Sequence, residues 1–182
     1  MTQTAIWTRS AWTDAAMLAE AVNPRKVSPD AAGKLPHEWY ASLLETNRLF
    51  EAVEFVAHAL PRYECAVWAA QALLELGVVD RLDPVMVGVL RWIDEPSDAL
   101  RRACHELAEA SRSDSPAIML AQAVFLSGGS LAPEDLAPVL PPPDVCAKLA
   151  AGAVLSGAYA CKVPDVALRT VLRLGEAMVA GR

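Results

Sequence analysis

Residues 47–76, NRLFEAVEFVAHAL, then Pro61, then RYECAVWAAQALLEL, decide the fold of this chain. They read as two apolar helices joined almost without a loop. Thr46 is expected to cap the first arm. Pro61 ends that arm and restarts the chain, because proline suits a first helical turn and breaks an interior. Gly77 is expected to stop the second arm. On the first arm Asn47, Glu51, Glu54 and His58 recur at helical spacing and leave one narrow polar stripe. On the second arm Glu64, Gln71 and Glu75 repeat the stripe, and the position that completes it is Trp68. The largest side chain of that helix therefore falls on its polar face. Either another element covers it, the N-terminal arm or the proline-rich loop, or it stands open as an aromatic anchor among acids, as partner-binding surfaces present. Trp68, with Glu64, Gln71 and Arg62, is the candidate interaction site.

Outward from this hairpin, the punctuation is helical throughout. Residues 1–12 read as a loosely held arm, with Trp7 and Trp12 placed to dock part of it. A first helix follows from Thr13 as N-cap, then a loop over 23–36 with three prolines and a glycine. Pro36 opens HEWYASLLE, and Asp83–Pro84 opens an apolar helix. Residues 98–112 alternate an inner face of Leu100, Cys104 and Leu107 with a wet face that includes Asp98, Arg101, Arg102 and His105. Ser115–Pro116 starts a helix in which only Gln122 is polar. Residues 127–144, with two glycines and five prolines, form a second loop with no regular element beyond a turn near Pro133–Leu136. The last two helices start near Asp144 and at Pro164. Gly152, Ser156 and Ala160, spaced by four, suggest close approach of another helix. The expectation is an all-α fold: a compact single-domain array of about eight to nine helices over 13–182, built on antiparallel hairpins. Helix pairs meeting at Pro61 and Pro96 leave a HEAT-like solenoid as the lesser alternative.

Composition bounds the function. A chain of 182 residues, 54% apolar and 21% charged, suits one domain with several helices buried on most sides. The net charge of −6 argues against non-specific binding to nucleic acid or anionic membrane. No signal peptide is read, and the longest apolar run, residues 149–161, is too short to span a bilayer. Cys65, Cys104, Cys146 and Cys161 make no C-x-x-C and sit in apolar helical settings. They read as buried reduced thiols in a cytoplasmic protein, with a disulfide or metal site as the alternative.

The motifs that announce an enzyme are missing: no H-E-x-x-H, G-x-S-x-G, Walker A or G-x-G-x-x-G is present. His37, His58 and His105 lie on three segments and read as solvated surface histidines. Ser127–Gly128–Gly129–Ser130 reads as a helix stop, with an anion cradle as the weaker reading. Glu51, Glu54, Glu64 and Glu75 read as a solvated face. No catalytic residue, metal ligand or cofactor is expected.

The run Leu60–Pro61–Arg62, with Glu64, Cys65 and Trp68, resembles the L-P-R-x-E-[AC]-x-x-W core of an uncharacterised bacterial domain-of-unknown-function family of small helical proteins. Trp92–Ser97, the run S-G-G-S-L-A-P at Ser127–Pro133 and the prolines before the penultimate helix resemble it too. The likeness covers roughly Leu43 to the C-terminus. It implies a helical fold and no assigned activity; the placing of some members near bacterial secretion-system genes implies an accessory or adaptor role. The expected function is a non-enzymatic protein-binding module, possible in homo-oligomeric form through the small-residue helix. The alternative is an enzyme or small-ligand binder with a pocket between helices.

Overall fold

A computed structural model describes residues 5–112, 114–133 and 135–182. Among these residues the chain forms α-helices and no strand: α1 (Ala15–Val22), α2 (Pro36–Glu45), α3 (Leu49–Ala59), α4 (Arg62–Glu75), α5 (Pro84–Asp94), α6 (Asp98–Ala110), α7 (Pro116–Phe125), α8 (Val145–Ala160) and α9 (Pro164–Val179). Four of them begin on proline, where the missing N–H would have no helical partner anyway. Asp83, Ser97 and Ser115 cap α5, α6 and α7 by accepting backbone N–H bonds.

Two starts differ from the expectation. Asp14, not Thr13, caps α1 by accepting from the Met17 amide at 2.9 Å. Thr46 does not cap α3. Its hydroxyl donates to the Ser42 carbonyl at 2.7 Å and closes α2 instead. Asn47 then reverses the chain at φ 56°, a left-handed conformation that asparagine tolerates, and α3 begins at Leu49. Asn47 thus leaves the α3 stripe, and its amide oxygen accepts from Arg169 at 2.6 Å.

The α3–α4 hairpin is the centre. The α8–α9 hairpin packs across it, with α9 against α3 and α4 and α8 against α3, α4 and α7. Helices α5, α6 and α7 pack on one another beside it, and α1 and α2 lie on α3. In a solenoid each repeat meets only its neighbours. Contact of the last helix with α3 and α4 excludes that arrangement and leaves the compact one.

Trp68 is 0% exposed, and the element that covers it is α9 rather than the arm or the proline-rich loop. Its indole donates to the Val171 carbonyl at 2.9 Å, and the buried Tyr40 phenol donates to the next carbonyl, Leu172, at 3.1 Å. Gly175 allows this fit: a Cβ there would lie 2.5 Å from Val56 and 3.0 Å from the Trp68 indole nitrogen. Burial, with the charge of Glu176 added, raises the Tyr40 phenol far above its ordinary pKa, so it remains a donor.

The segment before α1 is tied to the same region. Trp7 is buried against Tyr40 and Phe55, with ring centroids 5.3 and 5.9 Å apart. The Arg9 amide donates to Val179 at 2.9 Å, and the Trp12 indole donates to the His58 carbonyl at 3.1 Å. On α8 the close approach is not made by the expected trio. Gly152 meets Met119 of α7, but Ser156 and Ala160 are exposed. The buried alanines and glycine are Ala150, Ala151, Ala153, Gly157 and Ala158, because α8 is sandwiched between α7 and the central hairpin rather than touching one helix along one line. All four cysteines are free, three of them buried.

Candidate functional site

Arg101 and Arg102 follow the N-cap of α6 closely, and helical periodicity puts both on its wet face. The structure turns both towards the loop that follows α7. Arg101 is only 4% exposed. Its guanidinium donates to Asp98 at 2.8 Å, to the Ser130 carbonyl at 2.8 Å and to the Phe125 carbonyl, and it lies 4.9 Å from the Phe125 ring centroid. Arg102 donates to Asp98 at 2.8 Å and to the Ser130 and Ala132 carbonyls at 2.9 Å. The two arginines hold the Asp98 carboxyl below its ordinary pKa, chiefly through the Arg102 hydrogen bond and then that of Arg101.

A third arginine holds the other side of the loop. Arg62, from the first turn of α4, donates to the Ser127 carbonyl at 3.1 Å and to the Pro143 carbonyl at 3.4 Å. Gly129 is required where the loop crosses Arg101. Its φ is 66°, and a Cβ would come within 2.9 Å of the Arg101 guanidinium and 2.8 Å of Asp98. The S-G-G-S run therefore ends α7 and seats the loop on arginines; no anion is needed to explain it.

Above this base the chain closes on itself. The Leu131 amide donates to the Val139 carbonyl at 2.8 Å, and the Val139 amide donates to the Ser130 hydroxyl at 3.2 Å. The Leu136 amide donates to Pro133 at 3.1 Å, which makes the expected turn. The loop presents three apolar side chains to solvent: Leu136 at 59%, Val139 at 55% and Leu140 at 73% exposure.

Two clefts flank α3. The larger, about 520 Å³, lies between the end of α1, the α3–α4 joint and the start of α8. Trp12, Leu60, Pro143 and Ala147 give it apolar walls, with His58 and Arg62 among its polar groups. His58 is not solvated as expected. Its Nδ1 lies 2.8 Å from the Glu54 carbonyl, which can only accept, so Nδ1 carries the proton and Nε2 is a buried acceptor without a partner. Burial lowers its pKa despite that hydrogen bond. Cys65 also lines this cleft, but burial pushes its thiol well above the ordinary value, which disfavours the nucleophilic thiolate. His105 likewise leaves the wet face: it stacks on Phe125 with centroids 4.3 Å apart, and its Nδ1 is 3.1 Å from the Gln122 amide oxygen.

The smaller cleft, about 260 Å³, lies between the segment after α1, α2 and α3. Glu51 there is taken by a two-pronged contact with Arg48. Glu54 has no such partner, and burial, with the charge of Glu51 added, raises its pKa. Glu51 is exposed, as the stripe suggested, whereas Glu54 is partly enclosed.

The four residues singled out from the sequence are not all at the surface. Trp68 is inside and cannot act as a surface anchor, because α9 roofs it. Arg62 serves the loop, Gln71 is exposed beside Leu174 of α9, and Glu64 is half-buried. The arginine-held loop was missed; its one local sign was a proline-rich segment carrying Leu136, Val139 and Leu140 without any lysine or arginine. Among the described residues no group of three or more His, Cys, Asp or Glu is placed to hold a metal, and no helix is long and apolar enough to cross a membrane.

The chain belongs to DUF6931, a family of unknown function, whose model matches residues 39–179. The match starts within α2 and so leaves out α1 and the segment before it. Neither the curated proteins nor the solved structures contain a match to this chain.

Proposed function

We propose that this protein is a non-enzymatic protein-binding helical module, an accessory or adaptor of a larger assembly, and that the loop over 130–140 is its contact surface. One observation carries the reading. Three arginine side chains, one of them buried, are committed to the backbone carbonyls at the base of a loop whose outer side chains are Leu136, Val139 and Leu140. The arginine contacts stabilise the base of the loop, but they do not explain why its leucines are left in water. A loop with a partner gains affinity, because the ordering entropy is already lost before the encounter. Prolines at 133, 138, 141, 142 and 143 stiffen it further. A protein is favoured over an anionic bilayer, since the loop carries no basic residue and the chain is acidic.

The test is affinity capture from the native host with wild-type and Leu136→Asp/Leu140→Asp baits, read by mass spectrometry. A partner held by the wild type and lost by the variant is expected. Identical captures with both baits, confirmed as folded by circular dichroism, would remove the loop from the reading. The larger cleft favours a second reading, a small-ligand binder, because apolar walls around a few polar groups are the usual form of such sites.

A further inference from the structure

The smaller cleft holds two opposite charges that feel each other but form no ion pair. Lys26 and Glu54 both line it. Among the described residues neither side chain has an ion-pair or hydrogen-bond partner, whereas Arg48 and Glu51, also in the cleft, neutralise each other. Glu54 is the more unusual of the two, since an unpaired lysine on a surface segment is common but a half-enclosed carboxylate without a donor is not. Phe50 stands at the same cleft, 46% exposed although most of the apolar residues of α3 are buried. Leu43 and Phe55 make the buried wall behind it. The volume of about 260 Å³ corresponds to roughly eight or nine waters at ~30 Å³ each, which is room for a small organic molecule.

We infer that this cleft binds a small zwitterion of the α-amino-acid type, its ammonium against Glu54, its carboxylate against Lys26 and its apolar side chain against Phe50 and Leu43. The charges select this class. The four ionised groups of the cleft sum to zero, so a neutral zwitterion adds no net charge. A simple cation would be repelled by Lys26 and would satisfy only Glu54; a simple anion would meet Glu54. Burial and then the charge of Glu51 raise the proton affinity of Glu54, and the charges of Lys26 and Lys148 offset this only in part, so no hydrogen-bond donor has replaced the lost water. An ammonium group supplies that replacement. The site is separate from the loop proposed as the protein contact, so either can stand without the other.

Isothermal titration calorimetry of the full chain tests this with L-leucine and L-phenylalanine as probes, and with leucinamide, which lacks the carboxylate, and N-acetyl-leucine, which lacks the ammonium. At least one amino acid should bind with Kd at or below about 1 mM. Each blocked derivative should bind about tenfold more weakly or worse, since a charge-assisted hydrogen bond is lost. Glu54→Gln and Lys26→Met should each weaken the amino acid to the level of the corresponding derivative, and ligand-free Glu54→Gln should melt no lower than the wild type. If Glu54→Gln does not fold, Lys26→Met and the derivatives still decide. No heat from either amino acid up to about 10 mM overturns the inference. So does leucinamide binding as well as leucine. A fall in the ligand-free melting temperature of Glu54→Gln matching that of Lys26→Met overturns it too, because Lys26 would then be the resident counter-ion.

Discussion

The α3–α4 hairpin and the loop over 130–140 treat their large apolar side chains in opposite ways. The hairpin holds Trp68 at 0% exposure under α9, with its indole bonded to Val171. The loop holds Leu136, Val139 and Leu140 in water, with arginines from α4 and α6 bonded to its base. In the hairpin, hydrogen bonds satisfy a polar atom so that an aromatic ring can be buried. In the loop, they fix a backbone so that aliphatic side chains stay outside. The contrast separates what maintains the fold from what is available to a partner.

Breaking the buried side should have the largest effect. Trp68→Ala leaves a cavity under α9 and should cost about 3–5 kcal/mol in urea unfolding. Trp68→Phe keeps most of the ring but leaves the Val171 carbonyl with one bond fewer, and should cost about 1–2 kcal/mol. If Trp68→Ala costs less than about 1 kcal/mol, α9 does not seal that face.

The base of the loop comes next. Arg101→Ala removes a buried guanidinium from Asp98, Phe125 and Ser130, and should cost about 2 kcal/mol. Amide hydrogen exchange over residues 131–140 should rise in this variant and remain unchanged in the core helices. Exchange that rises everywhere equally would mean that Arg101 supports the whole fold rather than the loop.

A smaller effect links the hairpin to pH. The folded His58 has a pKa below the ordinary 6.5 because burial disfavours its charged form. Above pH 6.5 both folded and unfolded states are neutral there and the contribution is complete. As the pH falls below 6.5 the unfolded state takes the proton first, so stability falls until the pH reaches the folded pKa. Glu54 works in the opposite direction, with a folded pKa raised above 4.5, so the comparison must be made against His58→Asn in the same buffers. That variant should flatten the loss of melting temperature between pH 6.5 and the folded pKa; an unchanged profile would place the titration elsewhere.

The smallest stability effect belongs to the tip of the loop. Leu136→Asp/Leu140→Asp should remain within about 0.5 kcal/mol of the wild type, because both side chains are already solvated. A larger loss would show that the tip packs on the protein itself.

Much of the fold was legible because helix boundaries in this chain are written locally. Pro36, Pro84, Pro116 and Pro164 each open a helix, and Ser97 and Ser115 each cap one. Thr46 misled because a threonine hydroxyl satisfies the last carbonyls of one helix as readily as the first amides of another. The α3 stripe was read correctly as a line of polar residues, except for Asn47, but its surroundings were not. Glu54 and His58 face clefts whose far walls come from other elements, Lys26 in one and Ala147 in the other, and periodicity holds no record of what lies opposite. Arg101 was missed for the same reason: on a helical wheel it is wet, and the loop that buries it comes 29 residues later.

By itself, the sequence determined an all-helical chain, its family and the hairpin at its centre, since apolar periodicity and the capping chemistry of proline, serine and aspartate act within a few residues. Only the tertiary structure decided which polar positions meet water. Trp68 on a polar stripe became core because Gly175 lets α9 come close, and Arg101 on a wet face became the buried base of an exposed apolar loop. Burial depends on the partner element that arrives from elsewhere in the chain, and that arrival is a property of the whole packing arrangement rather than of any helix within it.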